Sequence, residues 1–260
     1  MTSTPQTVSI RARDIAMPAQ VFAPAPGAAH SPGLVMLHDI FGLDEWTQQA
    51  AARLAGLGYV TVAPDLYARS GGPQDTSSET ALNDFTFSLH DSHLINDTLA
   101  ALDWLAARED VDPARLGVLG WGWGGAYTLM AAAHDARIIT AVDIAGVITY
   151  PMLTAQKPGS PLNFVADIEG TIFAAFPGSD PLIPMNEIER LRGRLVEHDK
   201  RGEVKVYPDA PPRFWRDEAL SQTARFWRRL ENFLQTNLAA PEESQEPLGD
   251  YPNEQSRLHA

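Results

Sequence analysis

Residues 120–125 read Gly-Trp-Gly-Trp-Gly-Gly, between an apolar run, Leu116–Leu119, and an alanine-rich stretch, Ala126–Ala133. An apolar run, a glycine turn and then helix formers describe a strand that bends sharply into a helix. Two kinds of site use that bend. One is the G-x-G-x-x-G turn that lays a dinucleotide pyrophosphate on a helix N-terminus. The other is an elbow, G-x-Nuc-x-G, whose middle residue carries an attacking heteroatom. Here the middle residue is Gly122. On the second reading the chain has the elbow and lacks the atom it exists to present.

The rest of the chain alternates between strand-like and helix-like segments. Thr7–Arg11 and Ala19–Phe22 read as short opening strands separated by Asp14 and Pro18. Leu34–Leu37 is a continuous apolar run, expected of a strand buried on both faces. Trp46–Leu57 reads as a helix ending at Gly58, and Tyr59–Ala63 as a strand ending at Pro64. Gly71–Thr80 is a Gly/Pro/Ser/Thr-rich loop, and Leu94–Leu105 has helical spacing with Asp112-Pro113 as a stop. Beyond the elbow follow Ile138–Ile144, Thr171–Phe176, Glu187–Val196, Val204–Tyr207 and Asp217–Leu238, with Phe226, Leu230 and Phe233 on one helical face. Such alternation implies an α/β fold with a mostly parallel central sheet and helices on both faces. Without a repeat or linker, residues 1–239 make one domain, and the Pro/Glu/Gln-rich residues 240–260 read as a disordered tail.

Charge and cysteine content narrow the chemistry. A net charge of −13 disfavours nucleic acid or an anionic membrane as partner. Zero cysteines remove disulfides, thiolate metal sites and a thiol nucleophile. The segment Met1–Ile10 is polar, without the apolar core of a secretion signal. No apolar run approaches the ~18–20 residues that span a bilayer, so a cytoplasmic location is expected.

The dinucleotide reading finds an acid, Asp143, 23 positions beyond Gly120, where a ribose-binding carboxylate would sit. Against it, Trp121 and Trp123 crowd a turn that must let backbone approach phosphate, and the motif sits mid-chain. The elbow reading finds company along the chain. His38-Asp39-Ile40-Phe41-Gly42-Leu43, Ala63-Pro64-Asp65-Leu66-Tyr67-Ala68-Arg69, the Gly120 elbow, Pro177-Gly178-Ser179-Asp180-Pro181-Leu182-Ile183-Pro184 and Val206-Tyr207-Pro208-Asp209-Ala210 occur in this order. From about Thr7 to Leu238 the chain resembles the dienelactone hydrolases (carboxymethylenebutenolidases), a family with a single α/β-hydrolase domain. That family opens lactones or esters with a Cys or Ser nucleophile, a His base and an Asp.

Carried over position by position, the resemblance implies a degenerate triad. The nucleophile falls on Gly122. The histidine of a Tyr-Pro-Gly-Ala-x-His pattern falls on Pro212, and only the acid, Asp180, is present. Acyl transfer needs both an attacking heteroatom and a base for its proton, and loss of either costs several orders of magnitude. The resemblance places the oxyanion donors on the backbone of Ile40 and Trp123, which glycine at 122 leaves intact. It places the carboxylate-binding arginines on Arg69 and Arg216, with Asp39 replacing a longer Glu before the oxyanion Ile. Guanidinium forks suit a carboxylate.

Other candidates have plainer readings beside them. His90, His93 and Asp97 fall at i, i+3 and i+7 of one helix, a possible metal triplet or simply a solvated face. Trp123 could line a pocket while Trp121 packs inside. Asp180, deprived of its histidine, could pair with Arg213 or Arg216. The expectation is a non-catalytic or weakly active protein, without cofactor or metal, that binds a small carboxylate or lactone-like molecule. Its alternatives are a hydrolase in which Asp39 or His38 activates water, and a scaffold for a protein partner with a vestigial cleft.

Overall fold

In the computed structural model, which describes residues 5–25 and 30–239, the chain opens with an antiparallel hairpin. Its strands, β1 (Gln6–Ala12) and β2 (Ile15–Phe22), turn at Arg13, where φ is +54°. Strands and helices then alternate: β3 (Ser31–Leu37), α1 (Glu45–Gly56), β4 (Val60–Pro64), α2 (Glu79–Ser88), α3 (Asp91–Ala106), β5 (Val111–Trp121) and α4 (Trp123–His134). The second half adds β6 (Ile138–Ile144), β7 (Thr171–Pro177), α5 (Met185–Glu197), β8 (Gly202–Tyr207) and α6 (Ser221–Asn237). One eight-stranded sheet results, in the order β1-β2-β4-β3-β5-β6-β7-β8. β2 runs antiparallel to β1 and β4, and every other pairing is parallel. This is the single α/β domain with a mostly parallel sheet that the alternation implied.

The central strands explain themselves by burial. Leu34, Val35, Met36 and Leu37 on β3 and Val118 and Leu119 on β5 have no exposed surface, so layers on both faces must cover them. Each such side chain withdrawn from water stabilises the fold by about 1.5–3 kcal/mol. Trp121 is likewise fully buried, ringed by Trp46, Trp215, Phe226 and Trp227 at centroid distances of 4.8, 6.3, 6.1 and 5.4 Å. The tryptophan before the elbow therefore locks α1 and α6 to the end of β5, the packing role its position suggested.

Three expectations shift. Pro18 lies inside β2 opposite Ser9, rather than separating strands, and its carbonyl accepts from Asp65 N. Asp112-Pro113 does not stop a segment but lies within β5. The β3 pairing jumps there from Ser31↔Val111 to Gly33↔Leu116, so the proline sits at a bulge where a missing N–H breaks no ladder bond. Helix α2 starts inside the expected loop, capped by Ser78 Oγ, which accepts from Ala81 N at 3.1 Å. Only Leu82 and Thr86 of α2 are buried, too little for an apolar period to show in the sequence. The expected tail at 240–260 lies outside the described residues. No described helix is long and apolar enough to cross a membrane.

Candidate functional site

The glycine motif builds the elbow. β5 ends at Trp121, Gly122 turns the chain with φ +51° and ψ −121°, and α4 begins at Trp123. Gly122 N donates to Ile144 O at 2.7 Å on the neighbouring β6, and Gly125 N donates back to Gly122 O at 2.9 Å. A positive φ of this kind strains any residue with a Cβ by about 1–3 kcal/mol, and glycine escapes it. Gly124 is needed for a different reason. A Cβ there would run into the backbone of Leu37 and His38, because the first turn of α4 rests on the end of β3.

The space a nucleophile would fill is taken. A Cβ on Gly122 would overlap Asp39 Oδ1 and stand 2.8 Å from Oδ2. The Asp39 carboxylate, 2% exposed, lies directly over the elbow. Its Oδ1 accepts from Ile40 N at 2.8 Å and Trp123 N at 3.1 Å. Those are the two backbone donors expected to receive a developing oxyanion, and here a side-chain anion of the protein itself occupies them. Any substrate carbonyl would have to displace it, and its charge opposes the negative charge that acyl transfer builds.

The second oxygen is held by Arg213, which the sequence offered only as a partner for Asp180. Arg213 follows Pro212, adopts a left-handed conformation (φ +55°) and donates from Nε to Asp39 Oδ2 at 2.9 Å. Its Nη1 donates to Glu79 on α2 at 2.7 Å, and the guanidinium lies 5.1 Å from the Phe41 ring centroid. Pro212 itself is exposed. The segment on which the resemblance places a histidine brings a guanidinium to the cleft. Asp180 does not pair with Arg213 or Arg216 through a hydrogen bond. It accepts from Leu182 N at 2.9 Å, and burial raises its pKa against the opposing pull of that bond and of the Arg213 charge.

His38 is equally committed. Its Nε2 accepts from Leu66 N at 3.1 Å, which places the proton on Nδ1, 2.7 Å from Asp39 O. Complete burial lowers its pKa, so the ring stays neutral with both nitrogens occupied. Around it an aromatic wall closes the cleft. Tyr67 stacks on Trp123 at 5.6 Å, Trp123 meets Tyr127 edge-on at 5.3 Å, and Tyr67 Oη donates to Ile40 O at 2.8 Å. Trp123 is half-buried, and its indole N–H has no hydrogen-bond partner among the described residues.

The two arginines expected to bind a carboxylate are engaged elsewhere. Arg69 donates from Nε and Nη2 to Asp97, from Nη1 to Asp14 at 2.5 Å and from Nη2 to Ala12 O at 2.9 Å. It pins α3 to the β1–β2 hairpin, and a ligand would have to break that set. Arg216 pairs with Asp44, the N-cap of α1, and lies 4.8 and 4.9 Å from the Phe41 and Trp46 rings. The engagement of Asp97 by Arg69 also dissolves the histidine–aspartate triplet. His90 and His93 stack on each other at 5.1 Å, and among the described residues no three His, Asp or Glu side chains gather as metal ligands. Asp143 has no exposed surface and accepts from Gly146 N at 2.7 Å, so it holds a turn and is out of reach of a ribose.

Glu79 is the site residue that the sequence reading missed, and Arg213 was named there only as a partner for Asp180. One hint existed: an Asp replacing a longer acid, with an arginine next to the missing histidine.

Relatives place this geometry. The profile of the dienelactone hydrolase family matches residues 17–238. A Methylorubrum extorquens protein named "Putative carboxymethylenebutenolidase" is 30% identical over 236 residues, covering 87% of this chain and 79% of that one. An Escherichia coli K12 protein of the same name is 32% identical over 225 residues, covering 84% and 82%. A Bradyrhizobium protein, "Probable 2-oxo-3-(5-oxofuran-2-ylidene)propanoate lactonase", is 30% identical over 179 residues, covering 69% and 71%. Among solved structures, a Klebsiella pneumoniae protein titled a putative dienelactone hydrolase superposes with a TM-score of 0.82 at 26% identity, over 89% of this chain and 98% of that one. With its strand order, its elbow and this match over most of its length, the chain belongs to the dienelactone hydrolase family.

Proposed function

We propose that this family member does not hydrolyse esters or lactones by the covalent route, and that its cleft serves instead to recognise a small carboxylate. The observation that carries the reading is the Asp39 carboxylate seated on Ile40 N and Trp123 N above a glycine. A donor set of two backbone N–H groups and the Arg213 guanidinium is complementary to a carboxylate, because it already holds one. A ligand carboxylate binds by taking the place of Asp39, so the side chain sets the affinity by competition. Direct water activation is less well supported. His38 has no free nitrogen, and each Asp39 oxygen is already spoken for.

The test is chemical replacement of the missing side chain. Asp39→Gly leaves the two N–H groups and Arg213 without their anion and should lower the melting temperature. Acetate or formate should then restore stability saturably, by about 2.7 kcal/mol at a hundredfold excess over Kd. Wild type should respond weakly, and Asp39→Gly with Arg213→Ala should not respond. A carboxylate effect equal in wild type and Asp39→Gly would overturn the binding reading. Turnover of aryl esters or unsaturated lactones well above background by the pure protein, lost in Asp39→Asn, would overturn the non-hydrolytic reading.

A further inference from the structure

A cavity of about 420 Å³ opens between β8 and α6, lined on α6 by Gln222, Arg225, Arg228 and Arg229 and on β8 by Lys205 and Tyr207. β8 is the last strand of the sheet, so this cavity belongs to the sheet edge and shares no lining residue with the elbow. Residues 222, 225 and 229 are spaced i, i+3 and i+7, which brings them onto one face of α6. In a chain with 20 basic residues against 33 acidic ones, four basic side chains converge on a single cavity. Arg229 is paired with Glu203. Among the described residues, Lys205, Arg225 and Arg228 are in no ion pair, and Asp209 is the acidic residue of the lining. Four basic groups against Asp209 and the Arg229-bound Glu203 leave an excess of positive charge, which an anion between them relieves.

A second observation is independent of the charges. Tyr207 is 5% exposed, held by Phe214 at 4.9 Å and Phe226 at 6.1 Å, yet its hydroxyl is buried with no hydrogen-bond partner among the described residues. An orphaned buried hydroxyl is unfavourable, and the cavity Tyr207 lines is where a partner can come from. Burial pushes its pKa up to about 12, so it is a donor at neutral pH.

We propose that this cavity is an anion site for a phosphate-bearing small molecule, with Arg225, Arg228 and Lys205 neutralising the phosphate oxygens and the Tyr207 hydroxyl donating to one of them. Arginine forks match phosphate oxygens in pairs, and the amides of Gln222 and Asn232 supply further donors on the rim. The proposal is independent of the elbow and of whether the cleft hydrolyses anything.

Isothermal titration of the 260-residue chain with pyrophosphate, at constant ionic strength, tests it. Saturable binding at one site per chain is expected in wild type. Arg225→Ala with Arg228→Ala, both exposed and tolerated by the fold, should weaken it at least tenfold, and Tyr207→Phe severalfold. Inorganic phosphate and phenyl phosphate distinguish the free ion from a phosphate ester, and tighter binding of either supports the site. No binding of any of the three, equal heats with sodium chloride, or full affinity in the double variant would overturn the proposal. Full affinity in Tyr207→Phe would overturn the role of the hydroxyl.

Discussion

Gly122 and Asp39 exclude one another's alternatives. A side chain at 122 must displace the carboxylate of Asp39, and the carboxylate stays where it is because nothing rises from 122. Their coupling is measurable. Gly122→Ala should destabilise wild type by more than the ~1–3 kcal/mol of a strained positive φ. In an Asp39→Gly background only the strain should remain, so the double variant is less destabilised than the sum of the singles. Urea unfolding of the four proteins of the cycle gives the number, and strict additivity would contradict the overlap.

Among the elements, the connection after β6 is held by one buried cluster. Lys157 Nζ donates to Leu89 O at 3.0 Å, Asp91 Oδ1 at 2.8 Å and Tyr127 Oη at 2.9 Å. Tyr127 and Tyr150 both donate to the same Asp91 oxygen, at 2.8 and 3.1 Å. The Lys157 and Asp91 side chains are 1% and 5% exposed. The cluster ties the start of α3 and the second turn of α4 to the loop, directly behind the Trp123–Tyr127 contact that walls the cleft. Burial lowers the Lys157 pKa, and Asp91 is the partner that opposes this. Lys157→Met strands a buried carboxylate and should cost about 3–5 kcal/mol. Adding Asp91→Leu should recover a large part of that loss. Denaturant midpoints of the two variants decide it, and a Lys157→Met protein as stable as wild type would show the pair to be dispensable.

At the scale of the whole molecule, Asp143 links stability to pH. It lies near the end of β6, its Oδ2 has no hydrogen-bond partner among the described residues, and burial raises its pKa to about 7 against the lowering effect of the Gly146 N–H. In the unfolded chain the same carboxyl titrates near pH ~4. Between those values the folded state holds a proton that the unfolded state has released, so this residue's contribution falls as pH rises from about 4 to about 7. Asp143→Asn keeps an acceptor for Gly146 N–H without the titration. Its stability relative to wild type should therefore improve by roughly 2–3 kcal/mol from pH 5 to pH 8, since a tenfold difference in proton affinity between the two states is worth about 1.36 kcal/mol. Paired unfolding curves at the two pH values test this. A difference between the proteins that does not change with pH would place the titration elsewhere.

Much of the architecture is written locally. Apolar runs such as Leu34–Leu37 and Ile138–Ile144 read as strands buried on both faces, and the glycine-rich bend between strand and helix left two readings, of which the company of motifs along the chain favoured the elbow. Pro113 and α2 escaped that logic because a bulge in one case and a thinly buried helix face in the other hide the local signal. That Gly122 and Pro212 carry no attacking heteroatom and no base is equally local, since neither side chain has one whatever surrounds it. What stands in their place is not. Asp39 and Arg213 are 174 residues apart, and Asp39 and Trp123 84 apart, so no window of sequence contains the contact. Arg69, Arg213 and Arg216 are chemically identical in sequence. Only tertiary packing gives Arg69 to Asp97, Arg216 to Asp44 and Arg213 to the carboxylate over the elbow. The sequence determined what Gly122 and Pro212 cannot supply; the folded chain, by choosing which charge each guanidinium neutralises, decided what occupies the cleft.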